Sequence, residues 1–323
     1  MALAHYGRSL RFSVYGFGPI GRQIFRVALK RGWEPVAVID IDESIIGKDA
    51  GSLAGVGEVG VRVSRDSSAL EGSEVVFHAT TSWLDKAEPQ IMEAVRRGAS
   101  VVSTCETLAW PWHRYPEIAK RIGEAALDAG VTVIGTGINP GFLLDTLVAV
   151  LSASVGPVKR VDAARYVDPL KRRESFQKKV GIGLTTEEAE RALREGRISG
   201  HVGFAESAHL ISRFLGVVPD EVREWQSVID SGGMCAGVEG GAKAVYKGRE
   251  FVDIRFVAKA GVSEGEVIRV VGEGGEVVWR STGTPGDYGT AAVVVSVAAS
   301  IDDVPAGLVT MADIVLLRPG FSY

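Results

Sequence analysis

Six residues, Gly16-Phe17-Gly18-Pro19-Ile20-Gly21, constrain this chain more than any other stretch. Residues 10–15 before them alternate apolar and polar as a strand does, and Ile20, Ile24, Val27 and Ala28 after them fall at helical spacing. A second strand over 35–39 ends on Asp40, about twenty residues beyond the loop, which completes the fingerprint of a dinucleotide-binding βαβ unit. In that setting Gly16 permits the tight turn, Gly18 lets the backbone approach a pyrophosphate, and Gly21 lets the helix pack on the strand. Pro19 and Ile20 begin a helix whose N-terminus holds the phosphates. Asp40 is placed for the ribose hydroxyls of NAD, and its carboxylate repels a 2′-phosphate. Arg22 and Lys48 are near enough in sequence to soften that preference, so NADP is possible.

Charge and length bound the rest. The chain has 323 residues, enough for two domains, and 46% hydrophobic residues to fill their cores. Thirty-six basic against forty acidic residues leave a net charge of -4, so there is no global positive field for nucleic acid or an anionic membrane. A small molecule is the expected partner. Residues 1–8 lack an apolar signal core, and the later apolar stretch 291–301 is too short to span a bilayer. Cys105 and Cys235 form no C-x-x-C, which speaks against disulfides and a metal site and for a cytoplasmic protein. No H-E-x-x-H, P-loop or nucleophile elbow occurs.

Read in order, the chain repeats strand, loop and helix. Strands are expected over 61–63, 74–78, 100–104 and 131–134, and helices over 83–97 and 116–128. This alternation predicts an α/β fold, an N-terminal Rossmann doubly wound parallel sheet over residues 1–140. Asn139 is a suitable N-cap, and Pro140 a suitable first residue, for a helix over 142–151. Helices are expected over 185–194 and 208–215. Strands over 158–167, 222–229, 251–258, 267–271 and 277–280, the last four with no intervening helix, predict a second α+β domain at 141–285 on a mixed or antiparallel sheet. Residues 286–323, read as helical over 287–301 and 308–315, are expected to pack back on the first domain.

Ligands of an open α/β sheet lie beyond the carboxyl ends of its strands. That rule selects the glycine loop, Asp40, Thr80-Thr81-Ser82, Cys105-Glu106 and the loop 135–141. Glu106 alone supplies a charged group after a later strand, and a carboxylate there stabilises a cationic iminium and moves protons. Helix starting is the other role open to Glu106. Thr80, Thr81 and Ser82 either line the cofactor or, for Ser82, cap the next helix. Asn139 either caps or binds a carboxamide or carboxylate. Cys105, with no histidine beside it in sequence, reads as a packing residue. In the second domain the basic stretch 171–179, with Gln177 inside it, either is solvated or faces substrate; His201 and Glu206 either cap a helix or enter a pocket.

Taken together, the glycine loop, Ile39-Asp40-Ile41-Asp42, Ser103-Thr104-Cys105-Glu106, Gly135-Thr136-Gly137-Ile138-Asn139-Pro140-Gly141-Phe142, Phe176-Gln177-Lys178-Lys179-Val180-Gly181 and residues 201–207 make the chain resemble a known family. It is similar to the amine dehydrogenase and 2,4-diaminopentanoate dehydrogenase branch of the dihydrodipicolinate-reductase-like NAD(P)-binding proteins. The paired-His motif followed by lysine, and the Ser-Gly-Thr site, of dihydrodipicolinate reductase itself are missing. The resemblance implies an NAD(P)-dependent enzyme that interconverts an amine with a ketone or aldehyde plus ammonia, with a glutamate at the position of Glu106. It further implies cofactor contacts by Ile41 and Asn139, a substrate pocket lined by Phe142, Tyr166, Gln177 and His201, and a homodimer formed through the second domain. A diamino acid substrate would need an Arg or Lys for its carboxylate; a dinucleotide-binding sensor without turnover is the remaining alternative.

Overall fold

In the computed structural model, which describes residues 8–315 and 319–322, the chain opens with β1 (Arg11–Tyr15), whose Phe12 and Val14 are fully buried. Helix α1 (Pro19–Lys30) lays Ile24, Phe25 and Ala28 onto the sheet, and the Phe25 ring meets Phe12 and Phe17 edge-on at 5.6 and 5.4 Å. There follow β2 (Glu34–Ile39), α2 (Ala50–Ala54), β3 (Val63–Ser64), β4 (Val75–His78), α3 (Leu84–Arg96), β5 (Ser100–Ser103), α4 (Pro116–Ala129) and β6 (Thr132–Gly135). Both faces of this sheet are covered, so β4 and β5 read as continuous apolar runs.

A seventh strand, Gly307–Val309, joins the edge beside β6. The parallel order is Gly307–Val309, β6, β5, β4, β1, β2, β3, so the chain works outward from β1 on one side and from β4 on the other. The switch point therefore lies between β1 and β4. The helical expectation for 308–315 is corrected here: only Met311–Ile314 is helical, because a three-residue apolar run carries no periodicity that separates strand from helix. Helix Gly286–Ala298 packs against α1. Met1–Ile138 and Pro285–Ile314 together form one compact unit.

Asn139–Thr284 and Val315–Tyr323 form the second. Its elements are α5 (Thr146–Ser152), β7 (Val158–Val167), α6 (Glu174–Lys179), α7 (Thr186–Arg194), α8 (Phe204–Leu215), β8 (Glu221–Ser231), β9 (Met234–Tyr246), β10 (Arg249–Lys259), β11 (Gly265–Gly272) and β12 (Gly275–Arg280). The sheet order is β12, β11, β7, β10, β9, β8, antiparallel except for β7 with β10. Residues 320–322 bond to the start of β7 through Val158 N–H to Gly320 O (3.0 Å) and Ser322 N–H to Val158 O (2.8 Å).

Three expectations change in this unit. The helix expected over 142–151 begins only at Thr146, because Gly141 at φ +123° keeps the chain out of helical geometry and the Asp145 side chain supplies the cap. Asn139 is therefore not an N-cap. Helix α8 starts four residues earlier than its apolar pattern indicated, and neither His201 nor Glu206 caps it; Gly203 occupies that position with no side-chain cap. Strand β9 was not expected at all. Its Gly240 and Gly241 interrupt the apolar alternation, and the fold requires both: a Cβ on Gly241 would lie 1.9 Å from Ile254 O, and one on Gly240 2.9 Å from the Phe204 ring.

Candidate functional site

In the first unit the carboxyl ends of β1 and β4 meet at the glycine loop. Gly16 sits at φ +94°, and a Cβ there would approach Ala79 O to 2.6 Å; a Cβ on Gly21 would lie 1.9 Å from Gly16 O. Gly18 differs, with open space where its Cβ would stand and no side chain capping the helix it precedes. Turn, close packing and an uncapped helix N-terminus preceded by a bare backbone fit the pyrophosphate of a dinucleotide. Asp40 accepts the backbone N–H of Phe17 from the loop, and those of Ile41 (2.7 Å) and Asp42 (2.9 Å). Ile41 beside it is 81% exposed.

Thr80, Thr81 and Ser82 follow β4. Thr80 Oγ1 donates to Gln90 Oε1 at 2.6 Å, and Thr81 Oγ1 accepts Trp83 N–H at 3.3 Å. The capping role weighed for Ser82 falls instead to Thr107, whose Oγ1 accepts Leu84 N–H at 2.9 Å while donating to Ser82 O at 3.0 Å. A cap supplied from 23 residues downstream leaves no local signature.

Glu106 is half-buried and opens a 3₁₀ turn, Glu106–Leu108, directly after β5. Its backbone is pinned on both sides: Cys105 N–H donates to Ser103 Oγ at 3.0 Å, and Thr107 N–H to Ser82 O at 3.2 Å. Cys105 itself is buried, and burial, with the neighbouring Glu106 charge, pushes its thiol up to about 12, which removes it as a nucleophile.

In the second unit Asn139 and His201 come together. Asn139 Nδ2 donates to His201 Nε2 at 2.8 Å, which places the imidazole proton on Nδ1; Asn139 Oδ1 is buried and accepts nothing. The ring stacks on Phe256 at 4.7 Å and lies 4.6 Å from Phe204, and the His201 N–H donates to Gln226 Oε1 at 2.9 Å. Burial, helped by the charges of Lys179 and Arg165, holds His201 well below the usual histidine range. Behind Asn139, the buried Asp145 carboxylate accepts Gly141 N–H, Thr146 N–H and Ser207 Oγ–H at 2.9, 2.6 and 2.7 Å, and burial raises its pKa.

Arg165 is the residue the sequence did not reveal. It pairs across the sheet with Phe256 on β10 and Glu266 on β11, and only 5% of it is exposed. Its Nε lies 3.2 Å from Glu266 Oε1, its Nη2 donates to Thr284 O at 3.2 Å, and burial lowers its pKa to about 10. Tyr166, the neighbour singled out from the resemblance, leaves β7 on the opposite face, where its charged neighbour is Arg255. Gln177 turns back onto Arg172 O at 2.9 Å, Arg172 pairs with Glu264 at 2.6 Å, and Phe142 is half-buried just after Gly141. Among these candidates, then, Asn139 and His201 stand together with Arg165 near by, Tyr166 lies on the opposite face of the sheet, and Gln177 bonds to Arg172 O.

Residues 142–319, more than half the chain, match the 2,4-diaminopentanoate dehydrogenase C-terminal domain family. The chain belongs to that family. A 2,4-diaminopentanoate dehydrogenase from Acetoanaerobium sticklandii is 29% identical over 285 residues, covering 81% of this chain and 79% of that protein. A 4-hydroxy-tetrahydrodipicolinate reductase from Archaeoglobus fulgidus is 37% identical over 94 residues, 29% of this chain and 35% of the other. Among solved structures, an amine dehydrogenase from Mycobacterium smegmatis shares the fold, with a TM-score of 0.85 over 98% of this chain and all of that one at 20% identity. The family match thus spans the second half of the chain, and the likeness to the amine dehydrogenase extends the shared fold over nearly all of it.

Proposed function

We propose that this family member is an NAD(P)-dependent amine dehydrogenase, interconverting an amine with a ketone or aldehyde plus ammonia, and that Glu106 is its catalytic carboxylate. The observation that carries the reading is the placement of Glu106 at the carboxyl end of β5 within the dinucleotide-binding unit, on a turn pinned at both neighbours. The nicotinamide, when bound, supplies or accepts the hydride. Glu106 stabilises the positive charge of the substrate iminium and exchanges protons with ammonia or water. Gly16, Gly18, Pro19, Ile20 and Gly21 hold the pyrophosphate, with Thr80, Thr81 and Ser82 alongside. Asp40 takes the ribose hydroxyls, so NAD is the preferred form, and the exposed Ile41 covers the adenine. Asn139 Oδ1, buried and accepting nothing, is an open acceptor for a ligand N–H in the second unit. Loss of NADH absorbance with ammonia and a panel of small ketones and aldehydes tests the reading. Turnover that does not depend on ammonia rejects it.

A second reading, 2,4-diaminopentanoate dehydrogenase proper, is favoured by Arg165. The substrate carboxylate of that reaction needs a cation, and the second unit buries a guanidinium whose charge reaches His201. Activity confined to 2-amino-4-oxopentanoate identifies this enzyme.

We also propose a cytoplasmic homodimer formed through the second unit. Its sheet turns Trp225, 39% exposed, and the ion-paired Arg255, Lys243 and Arg269 to the face opposite Phe256. Among the described residues no helix is long and apolar enough to cross a membrane. Light scattering on the purified chain measures the dimer directly.

A further inference from the structure

His78, the last residue of β4, is 1% exposed and hydrogen-bonded through both ring nitrogens. Its Nε2 lies 2.7 Å from Gln90 Oε1 and 2.9 Å from Thr80 Oγ1, and its Nδ1 lies 2.8 Å from Ser103 Oγ. The amide oxygen of Gln90 can only accept, and it already accepts the Thr80 hydroxyl proton, so Nε2 carries the imidazole proton and donates it to Gln90. Nδ1 is then an acceptor, and it takes the hydroxyl proton of Ser103. With its proton committed there, Ser103 Oγ turns its lone pairs to the backbone N–H of Cys105, 3.0 Å away. Cys105 immediately precedes Glu106.

That N–H lies just beyond the sheet. Thr104 N–H still bonds to His78 O across to β4, and Ser103 O accepts Thr136 N–H from the residue after β6, but Cys105 N–H bonds to a side chain, Ser103 Oγ, rather than to a neighbouring strand. Without a fixed acceptor at this point the chain is free to choose its exit direction from β5. Ser103 alone cannot fix it, since a hydroxyl rotates; the imidazole decides which way the hydroxyl points. Burial holds His78 near 4, so it stays neutral and its Nδ1 stays an acceptor at neutral pH.

We propose that His78 is a positioning residue for Glu106: through Ser103 it fixes the Cys105 peptide, and with it the direction in which the Glu106 carboxylate leaves the end of β5. The inference rests on the reading of Glu106 as the catalytic carboxylate. Gln90, which the same ring holds, also takes the hydroxyl proton of Thr80, next to the Ala79 carbonyl that packs on Gly16, so the cofactor loop and Glu106 hang on one side chain.

Two substitutions divide the ring. An asparagine amide reaches the position of Nδ1 and keeps the Ser103 arm, whereas a glutamine amide reaches the position of Nε2 and keeps the arm to Gln90 and Thr80. His78→Gln is expected to lower kcat about 10²-fold, as a misplacement of the order of 1 Å does, with NADH affinity by fluorescence unchanged and the Cys105 amide exchanging faster by NMR. His78→Asn is expected to keep kcat and amide protection. Wild-type kcat in His78→Gln, or equal losses in the two variants that track their melting temperatures, overturns the proposal. If His78→Gln does not fold, Ser103→Ala stands in for it and Ser103→Thr, which keeps the hydroxyl, is the rescue. Glu106→Gln is measured alongside. Its retaining turnover removes the catalytic reading of Glu106, while amide exchange at Cys105 still reports on the relay; its being inactive while His78→Gln turns over normally removes the relay alone.

Discussion

The carboxylate of Asp40 accepts the backbone N–H of Phe17, so the end of β2 and the glycine loop are joined by one side chain. This bond gives Asp40 two tasks, one in the loop and one toward a ribose. Oδ1 is filled by Ile41 and Asp42, while Oδ2 keeps a lone pair beyond the one Phe17 uses. Asp40→Ala is therefore expected to weaken NADH binding about tenfold, the worth of a charge-assisted hydrogen bond, and to narrow the NAD over NADP preference in kcat/KM. An unchanged ratio removes Asp40 from the ribose site even if affinity falls.

Gly18 and Gly21 separate cofactor approach from folding. At Gly18 φ is -68° and nothing stands where a Cβ would go, so Gly18→Ala is expected to fold with an unchanged melting temperature and lose NADH affinity. Gly21→Ala places a carbon 1.9 Å from a backbone oxygen and is expected to destabilise the first unit by several kcal/mol. Calorimetry and fluorescence titration distinguish the two. A Gly18→Ala variant that binds NADH normally argues against pyrophosphate at this loop.

Glu106→Gln keeps shape and hydrogen-bonding capacity but removes the charge and the proton acceptor. The expected loss is about 10² to 10⁴ in kcat with NADH affinity unchanged. A pre-steady-state trace of NADH decay shows whether the loss falls on the hydride step or on product release.

What was legible in the sequence is what short-range chemistry writes there. Gly21 must be glycine because its Cβ would meet Gly16 O inside the same βαβ unit, and the polar helix expected over 185–194 is α7, with Thr185 as its cap. What stayed hidden depends on partners far away in the chain. Strand β9 was masked because Gly240 and Gly241 answer to Phe204 and Ile254 rather than to an alternating pattern. Arg165 and Tyr166 sit side by side on β7, and only the pairing with Phe256 tells which of them faces inward; a shift of one residue exchanges them. Thr107 caps α3 across 23 residues, and the pairing of His78 with Ser103 is likewise a fact of the sheet.

Arg165 decides between the two substrate readings. Its partner Glu266 is 1% exposed, so removing the positive charge strands a buried carboxylate and costs about 3–5 kcal/mol. Arg165→Lys keeps the charge and loses the planar fork. If a substrate carboxylate is bound here, KM for 2-amino-4-oxopentanoate is expected to rise about tenfold while KM for uncharged ketones stays constant. A parallel rise for both classes makes Arg165 a structural residue of the sheet.

His78 also predicts how stability depends on pH. Folded, its imidazole stays neutral down to about 4; unfolded, it takes a proton near 6.5. Between those values the unfolded chain binds more protons, so the contribution of His78 is fully present above pH 6.5 and is lost as pH falls to 4. At 1.36 kcal/mol per pH unit the loss approaches about 3 kcal/mol by pH 4. Asp145 works in the opposite sense, since its raised carboxyl pKa costs stability as pH rises above 3.8, and its effect adds a separate slope. The His78 share is isolated by comparing wild type with His78→Asn in denaturant titrations at pH 7 and pH 4.5. The variant is expected to start less stable at pH 7 and to lose less on acidification, because it has no imidazole to protonate. NMR supplies the direct check: the His78 ring proton should not shift between pH 8 and pH 5, and a midpoint near 6.5 would mean that the ring titrates as an exposed histidine does, with its bonds to Ser103 and Gln90 already open.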